Sequence, residues 1–168
     1  PMAQQRFRWM DDPSLKMRLF TQAQAPRMGE GGDVWLDRLL TKIQPRLVVI
    51  DTLARFKRQA DQKGYEAETD AMAEMAAVFS KHETSAVIIH HTRKGGQNDD
   101  PDNPFERMLG STALAAVPDN LMVLESDGGK TVLHTRGRMV QQQRDIFDLR
   151  GHRFELNVEP GAILAGKA

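Results

Sequence analysis

The run Leu47-Val48-Val49-Ile50-Asp51-Thr52 constrains what this chain can fold into more than any other segment. Four large aliphatic residues in succession leave no polar alternate positions, which suits a short strand covered on both faces, as in parallel sheets flanked by helices. Such a strand has no wet face for a carboxylate, so Asp51 belongs at its carboxyl end. Open α/β sheets take their ligands at that end. Two chemistries fit an acid there. It can help hold a magnesium ion against the phosphates of a nucleotide, or it can cap the turn that follows.

The neighbouring sequence repeats a helix-then-strand unit. Asp33 reads as the N-cap of a helix whose Leu36, Leu39, Leu40 and Ile43 fall at i, i+3, i+4 and i+7. Pro45 stops it just before the strand at 46–50. A second helix, from about 65 to 82, lines up Met72, Met75, Ala76 and Phe79 as a core stripe. It leads to the apolar strand Ala86-Val87-Ile88-Ile89, which ends in His90-His91. After the long segment Thr92–Leu109 come a short helix at 111–117 and a third apolar run, Leu121–Leu124. Three such runs separated by helical segments predict a parallel sheet with right-handed crossovers. Beyond it, Asp127-Gly128-Gly129 is a hairpin signal joining 121–125 to 131–135, and runs at 145–149 and 152–157 flank Gly151, so the sheet is expected to finish in antiparallel strands. Residues 2–10 read as the end of a helix stopped by Asp11-Asp12-Pro13, and 17–22 as a short strand. The expectation is one α/β domain over 1–160 and a frayed, small-residue tail at 161–168.

Composition narrows the partners. Lysine plus arginine and aspartate plus glutamate both number 23 in 168 residues, so no overall basic field announces a polyanion, and any such contact must be local. The absence of cysteine excludes disulfides and thiolate metal sites and fits a reducing, cytoplasmic setting. No window of 18 apolar residues and no signal pattern point to a membrane.

Gly128-Gly129-Lys130-Thr131 invites reading as a phosphate-binding loop, but that motif needs a glycine where this chain has Leu124, and a helix rather than a strand after it. The turn is structural. A magnesium-holding acid without a phosphate loop, in a chain that opens at Pro1 on a helical pattern, reads as part of something longer.

Taken in order, Leu47-Val-Val-Ile-Asp51-Thr-Leu-Ala-Arg-Phe, Val87-Ile-Ile-His-His91-Thr-Arg-Lys94, Gly110-Ser-Thr-Ala-Leu-Ala-Ala-Val-Pro-Asp119 and His134-Thr-Arg136-Gly-Arg138 resemble the RecA-like ATPase core of RepA-type replicative helicases and AAA-type primase-helicase ATPases. The likeness spans 27 to about 156. It implies a RecA-like P-loop NTPase core whose first strands, phosphate loop and catalytic glutamate would precede Met2. It also implies ATP and Mg²⁺ as ligands, hydrolysis of ATP, a hexameric ring of identical subunits, single-stranded DNA as track, and a primase or other replication protein as partner. A KaiC-like or recombinase motor, or a non-catalytic module acting by assembly, would use the same core.

The resemblance also distributes roles. Asp51 matches the Walker B acid, holding magnesium through water, and Thr52 its neighbour facing the nucleotide. His91, or His90 beside it, matches the polar residue that senses the γ-phosphate. Adjacent strand residues point to opposite sides, so only one of the two can face the nucleotide, and the pair cannot chelate one ion together. Either is equally compatible with a core histidine bonded to backbone. The loop Thr92–Leu109 matches a DNA-binding loop, with Arg93, Lys94, Gly95, Gly96 and Arg107 as contacts, although Asp99, Asp100, Asp102 and Glu106 outnumber its bases. With so few apolar anchors, residues 95–106 are expected to be mobile. Arg136 and Arg138, one residue apart on a strand, point the same way. In ring helicases the matching pair reaches the neighbouring subunit's nucleotide, with Arg138 as arginine finger. A solvated strand face would hold two arginines equally well.

Overall fold

The computed structural model describes residues 17–21, 23–57, 65–92, 103–107, 113–151 and 153–157. The first helix, α1 (Gly32–Ile43), starts from Gly31, whose φ of 95° only glycine adopts readily. Asp33 thus sits inside the first turn, not at the cap, and there its charge favours the helix N-terminus. At the other end Gln44 takes a left-handed conformation and returns its N–H to the Leu40 carbonyl at 2.8 Å, and Pro45 forbids a further turn. Leu36 and Leu40 are the buried side chains that α1 gives the core, and Trp35 packs against it.

Strand β1 (Leu47–Asp51) follows, then a single-turn helix α2 (Leu53–Phe56), the long helix α3 (Tyr65–Lys81) and strand β2 (Ser85–Ile89). β1 and β2 pair in parallel, Leu47 opposite Ser85 and Asp51 opposite Ile89. Thr84, buried, starts β2 by donating its hydroxyl to the Pro45 carbonyl at 3.1 Å. Met28, Leu36, Leu40, Leu53, Phe56, Met72, Met75 and Phe79 form the main core, with Val48, Ile50 and Ile88 laid against it from the sheet. At roughly 1.5–3 kcal/mol for each large apolar side chain removed from water, this cluster is the main stabilising element of the helical layer. At its edge Asp37 of α1 accepts from Lys81 at 2.7 Å and lies 2.8 Å from His82, tying α1 to the end of α3. These two hydrogen bonds, Lys81 first, hold the Asp37 carboxyl below its ordinary range.

A 3₁₀ turn (Pro104–Arg107) and a short helix α4 (Ala113–Ala116) lead into β3 (Asn120–Asp127), β4 (Lys130–Gly137), β5 (Gln143–Arg150) and β6 (Arg153–Leu156). These four strands form one antiparallel sheet in sequence order. The β3–β4 turn has Gly128 and Gly129 at φ of 56° and 81°, the two positive values that a tight two-residue hairpin needs. That settles Lys130-Thr131 as the start of a strand rather than part of a phosphate loop. Leu114 joins α4 to the main core, while Phe105 packs with Leu121 and Val123 on β3.

Three expectations are corrected. The parallel sheet has two strands among the described residues: the run at 121–124 pairs with β4, as the hairpin signal predicts, but makes no pairing with β2 on its other edge. Nor is β1 covered on both faces: among the described residues helices lie on one side, and Leu47 and Val49 are 53% and 56% exposed, alongside exposed Val87 and Ile89. Residues 17–21 form no strand. The helix reading at 2–10, residues 95–102 and the tail at 161–168 lie outside the described residues. Among the described residues no helix is long and apolar enough to cross a membrane.

Candidate functional site

The parallel register brings the ends of β1 and β2 to one edge, with Asp51 opposite Ile89 and His90 next along the chain. Asp51 is exposed, and by strand alternation it shares the uncovered face with Leu47 and Val49, while Val48 and Ile50 turn to the core. The same alternation puts Val87 and Ile89 on that face. Both histidines lie just past the end of β2, His91 exposed and His90 half-buried. Both ring nitrogens of His90 are shielded from solvent.

Behind the acid the chain is held firmly. Thr52 is half-buried and extended, its peptide bond to Asp51 is cis, and its carbonyl accepts from Arg55 at 3.0 Å to open α2. Leu53 and Phe56 anchor α2 in the core. The loop before α1 closes over it: Met28 donates its N–H to the Phe56 carbonyl at 2.9 Å, and Arg27 reaches the carbonyls of Ala54 and Lys57 at 3.1 and 3.5 Å. Gly32 is the hinge of this closure. A Cβ there would meet backbone atoms of Pro26 and Arg27 at about 2.4 Å.

Among the described residues no three histidine, aspartate or glutamate side chains converge as a metal site. A single accessible carboxylate is nonetheless the donor set that magnesium uses when substrate phosphates and water complete its shell. Asp51 fits that group; a protein-caged ion does not.

The basic residues scatter. Arg93, Lys94, Gly95 and Gly96 lie outside the described residues. Arg107 forms an ion pair with Glu125 at 2.6 Å, and Glu125 in turn lies 3.2 Å from His134. Arg136, on β4, stacks its guanidinium 4.3 Å from the centre of the Phe105 ring. Arg138 does not share that strand: it lies one residue past the end of β4, where it donates to the Ala116 carbonyl at 3.2 Å and pairs with Asp119 at 3.4 Å. Its side chain remains 64% exposed. Glu125, His134 and Phe105 were not singled out as partners from sequence. The signal was present in Leu121, Val123 and Glu125, whose period of two puts a carboxylate at the third inward position, where it needs a cation.

The AAA domain family model matches residues 3–97, more than half of the chain and the part that carries Asp51, Thr52 and both histidines. No curated protein matches the chain. No solved structure does either.

Proposed function

Since the chain belongs to the AAA domain family, we propose that this ATPase-type module is part of a RecA-like motor domain that hydrolyses ATP and serves as a replicative DNA helicase subunit in a ring. The observation that carries the reading is Asp51-Thr52 at the carboxyl end of a parallel strand, in register with a strand that ends at Ile89 and is followed by His90-His91. Asp51 would hold Mg²⁺ through water, and the ion, when bound, would offset negative charge on the transferring phosphoryl group. Thr52 precedes α2 beside the acid, and in this reading His91, exposed just past β2, would hydrogen-bond a terminal phosphate. Val49, Val87 and Ile89 give the site an apolar floor beside the carboxylate.

Arg138 is the arginine finger in this reading. Its ties to Ala116 and Asp119 are surface contacts, worth at most about 1 kcal/mol, which a stronger anion from a neighbouring subunit can displace. Arg136 is committed to Phe105 and takes a supporting place. Arg93, Lys94, Gly95 and Gly96 are proposed as contacts to single-stranded DNA, with Arg107 joining them.

The test uses the full-length protein. Asp51→Ala should abolish Mg-dependent ATP hydrolysis by losing the ion within its own subunit. Arg138→Ala should lower hydrolysis by about 10³ or more while leaving ATP affinity nearly unchanged, because the finger acts on charge that develops only in the transition state. Mixing the two inactive proteins should restore part of the activity at interfaces that pair an intact acid with an intact finger. Retention of hydrolysis by Asp51→Ala would remove the motor reading and leave a module that acts by assembly.

A further inference from the structure

The antiparallel sheet carries a cavity of about 550 Å³ that has no part in the nucleotide site. Arg107, Glu125, Asp127, His134, Gln143 and Arg144 line it. That volume lies within the range of small-ligand pockets. The register explains why these side chains meet. Val123 faces His134 and His134 faces Arg144, so Glu125, His134 and Arg144 project from one face of three adjacent strands, and Arg107 comes over them from the 3₁₀ turn.

The two faces of this sheet differ sharply in charge. By the same alternation, the cavity side carries Lys130, Arg136, Arg144, Arg150 and Arg153 against Glu125, Asp127, Asp148 and Glu155, with Arg107 above them. The opposite side presents Met122, Leu124, Phe147, Leu149, Phe154 and Leu156 with Asp145 as its one charge. Six bases against four acids leave the cavity side net positive in a chain whose formal charge is zero. At the centre of this field Glu125 accepts from Arg107 at 2.6 Å and lies 3.2 Å from His134, in a half-buried position. The rim pair Arg144 with Asp127 is looser, at 3.5 Å, with both side chains largely exposed.

We propose that this cavity accepts a phosphate group and that Glu125 is its internal surrogate, holding Arg107 until a phosphate takes its place. A carboxylate and a phosphate oxygen present the same kind of acceptor to a guanidinium, and a phosphate offers more of them to the planar fork of the arginine. Displacement leaves Glu125 with the His134 ring nitrogen 3.2 Å away as a hydrogen-bond partner. Arg144, loosely held at the rim, and Gln143 supply the further donors. Two sources of the group share this chemistry, the backbone of a nucleic-acid strand and free phosphate. The strand is the expected one; only that choice of source rests on the helicase reading.

Fluorescence anisotropy with labelled oligothymidylate, and its competition by inorganic phosphate, tests the idea on the full chain. Glu125→Gln keeps the shape but releases Arg107, so oligonucleotide binding should tighten by about tenfold. The salt dependence should also steepen by about 0.7 in log–log slope, one added phosphate contact on a single strand. Adding Arg107→Ala to Glu125→Gln should cancel both changes. Arg144→Gln, at an exposed position that leaves the fold alone, should weaken binding about threefold. Competition by millimolar inorganic phosphate with the same dependence on Glu125 would identify free phosphate as the source and still support the cavity. Unchanged affinity and salt slope in Glu125→Gln and Arg144→Gln, or no binding of either probe by any variant, would overturn it. Failure of the motor reading shows elsewhere, as ATP hydrolysis indifferent to Asp51→Ala, so the two can be told apart.

Discussion

Phe105 joins the 3₁₀ turn to the antiparallel sheet, and replacing it with alanine measures that joint. The ring is 5% exposed, packs on Leu121 and Val123, and carries the Arg136 guanidinium 4.3 Å from its centre. Losing a buried phenylalanine to alanine costs about 3–5 kcal/mol, because the transfer energy disappears and the cavity only partly collapses. Here the surrounding cluster is small, three buried residues with Ala115 packed against them, so collapse is easier and the lower end applies, about 3 kcal/mol. The stacked cation adds roughly 1 kcal/mol at a half-buried position. Phe105→Ala should therefore cost about 4 kcal/mol, or about 10 °C in Tm for a domain of this size. Phe105→Leu keeps most of the apolar volume and loses the ring, so it should cost about 1–2 kcal/mol. Urea denaturation followed by circular dichroism reads both values. A loss below about 1 kcal/mol in Phe105→Ala, or equal losses in the two variants, would refute the argument that ring burial and the Arg136 contact hold the turn to the sheet.

Two further outcomes rest on the helical layer. Gly32→Ala should cost about 2–3 kcal/mol, since its Cβ would strike Pro26 and Arg27 backbone that cannot step aside, whereas Gly31→Ala has open space, meets only the penalty of its positive φ, and should cost about 1 kcal/mol; thermal melts of the two variants check the order. The Asp37 carboxyl, lowered by Lys81 and then by His82, holds fewer protons folded than unfolded, so its contribution is complete above about pH 4 and disappears as pH falls through the lowered folded value. The stability gap between the native chain and Asp37→Asn should accordingly be present near pH 6 and narrow as the pH falls below the ordinary value of 3.8. A gap independent of pH over that range would mean the contact is not ionic.

The sequence alone determined the local elements and the chemistry at their ends. The apolar runs and their punctuation placed β1, β2 and the helices before each of them within a few residues, because a continuous aliphatic run, a 3.6-residue stripe and a proline each act over short range. It also placed Asp51 at a strand's carboxyl end and dismissed the Gly-Lys-Thr turn, both consequences of what adjacent residues can do. What only the tertiary structure decided was which strands pair and which faces stay open. The hairpin of Leu121–Leu124 with β4 was legible in Gly128-Gly129, but its composition is the same whether or not its other edge joins the parallel core, and only the structure shows that it does not. The bareness of Leu47 and Val49 likewise depends on where helices lie, not on the residues themselves. The destinations of the arginines were equally hidden: Arg107 meets Glu125, Arg136 meets Phe105 and Arg138 meets Ala116 and Asp119 across gaps of 18, 31, 22 and 19 positions in the chain. A charge names no partner by itself, and its range in water is short. Only the packing that brings distant segments within a few ångströms selects one.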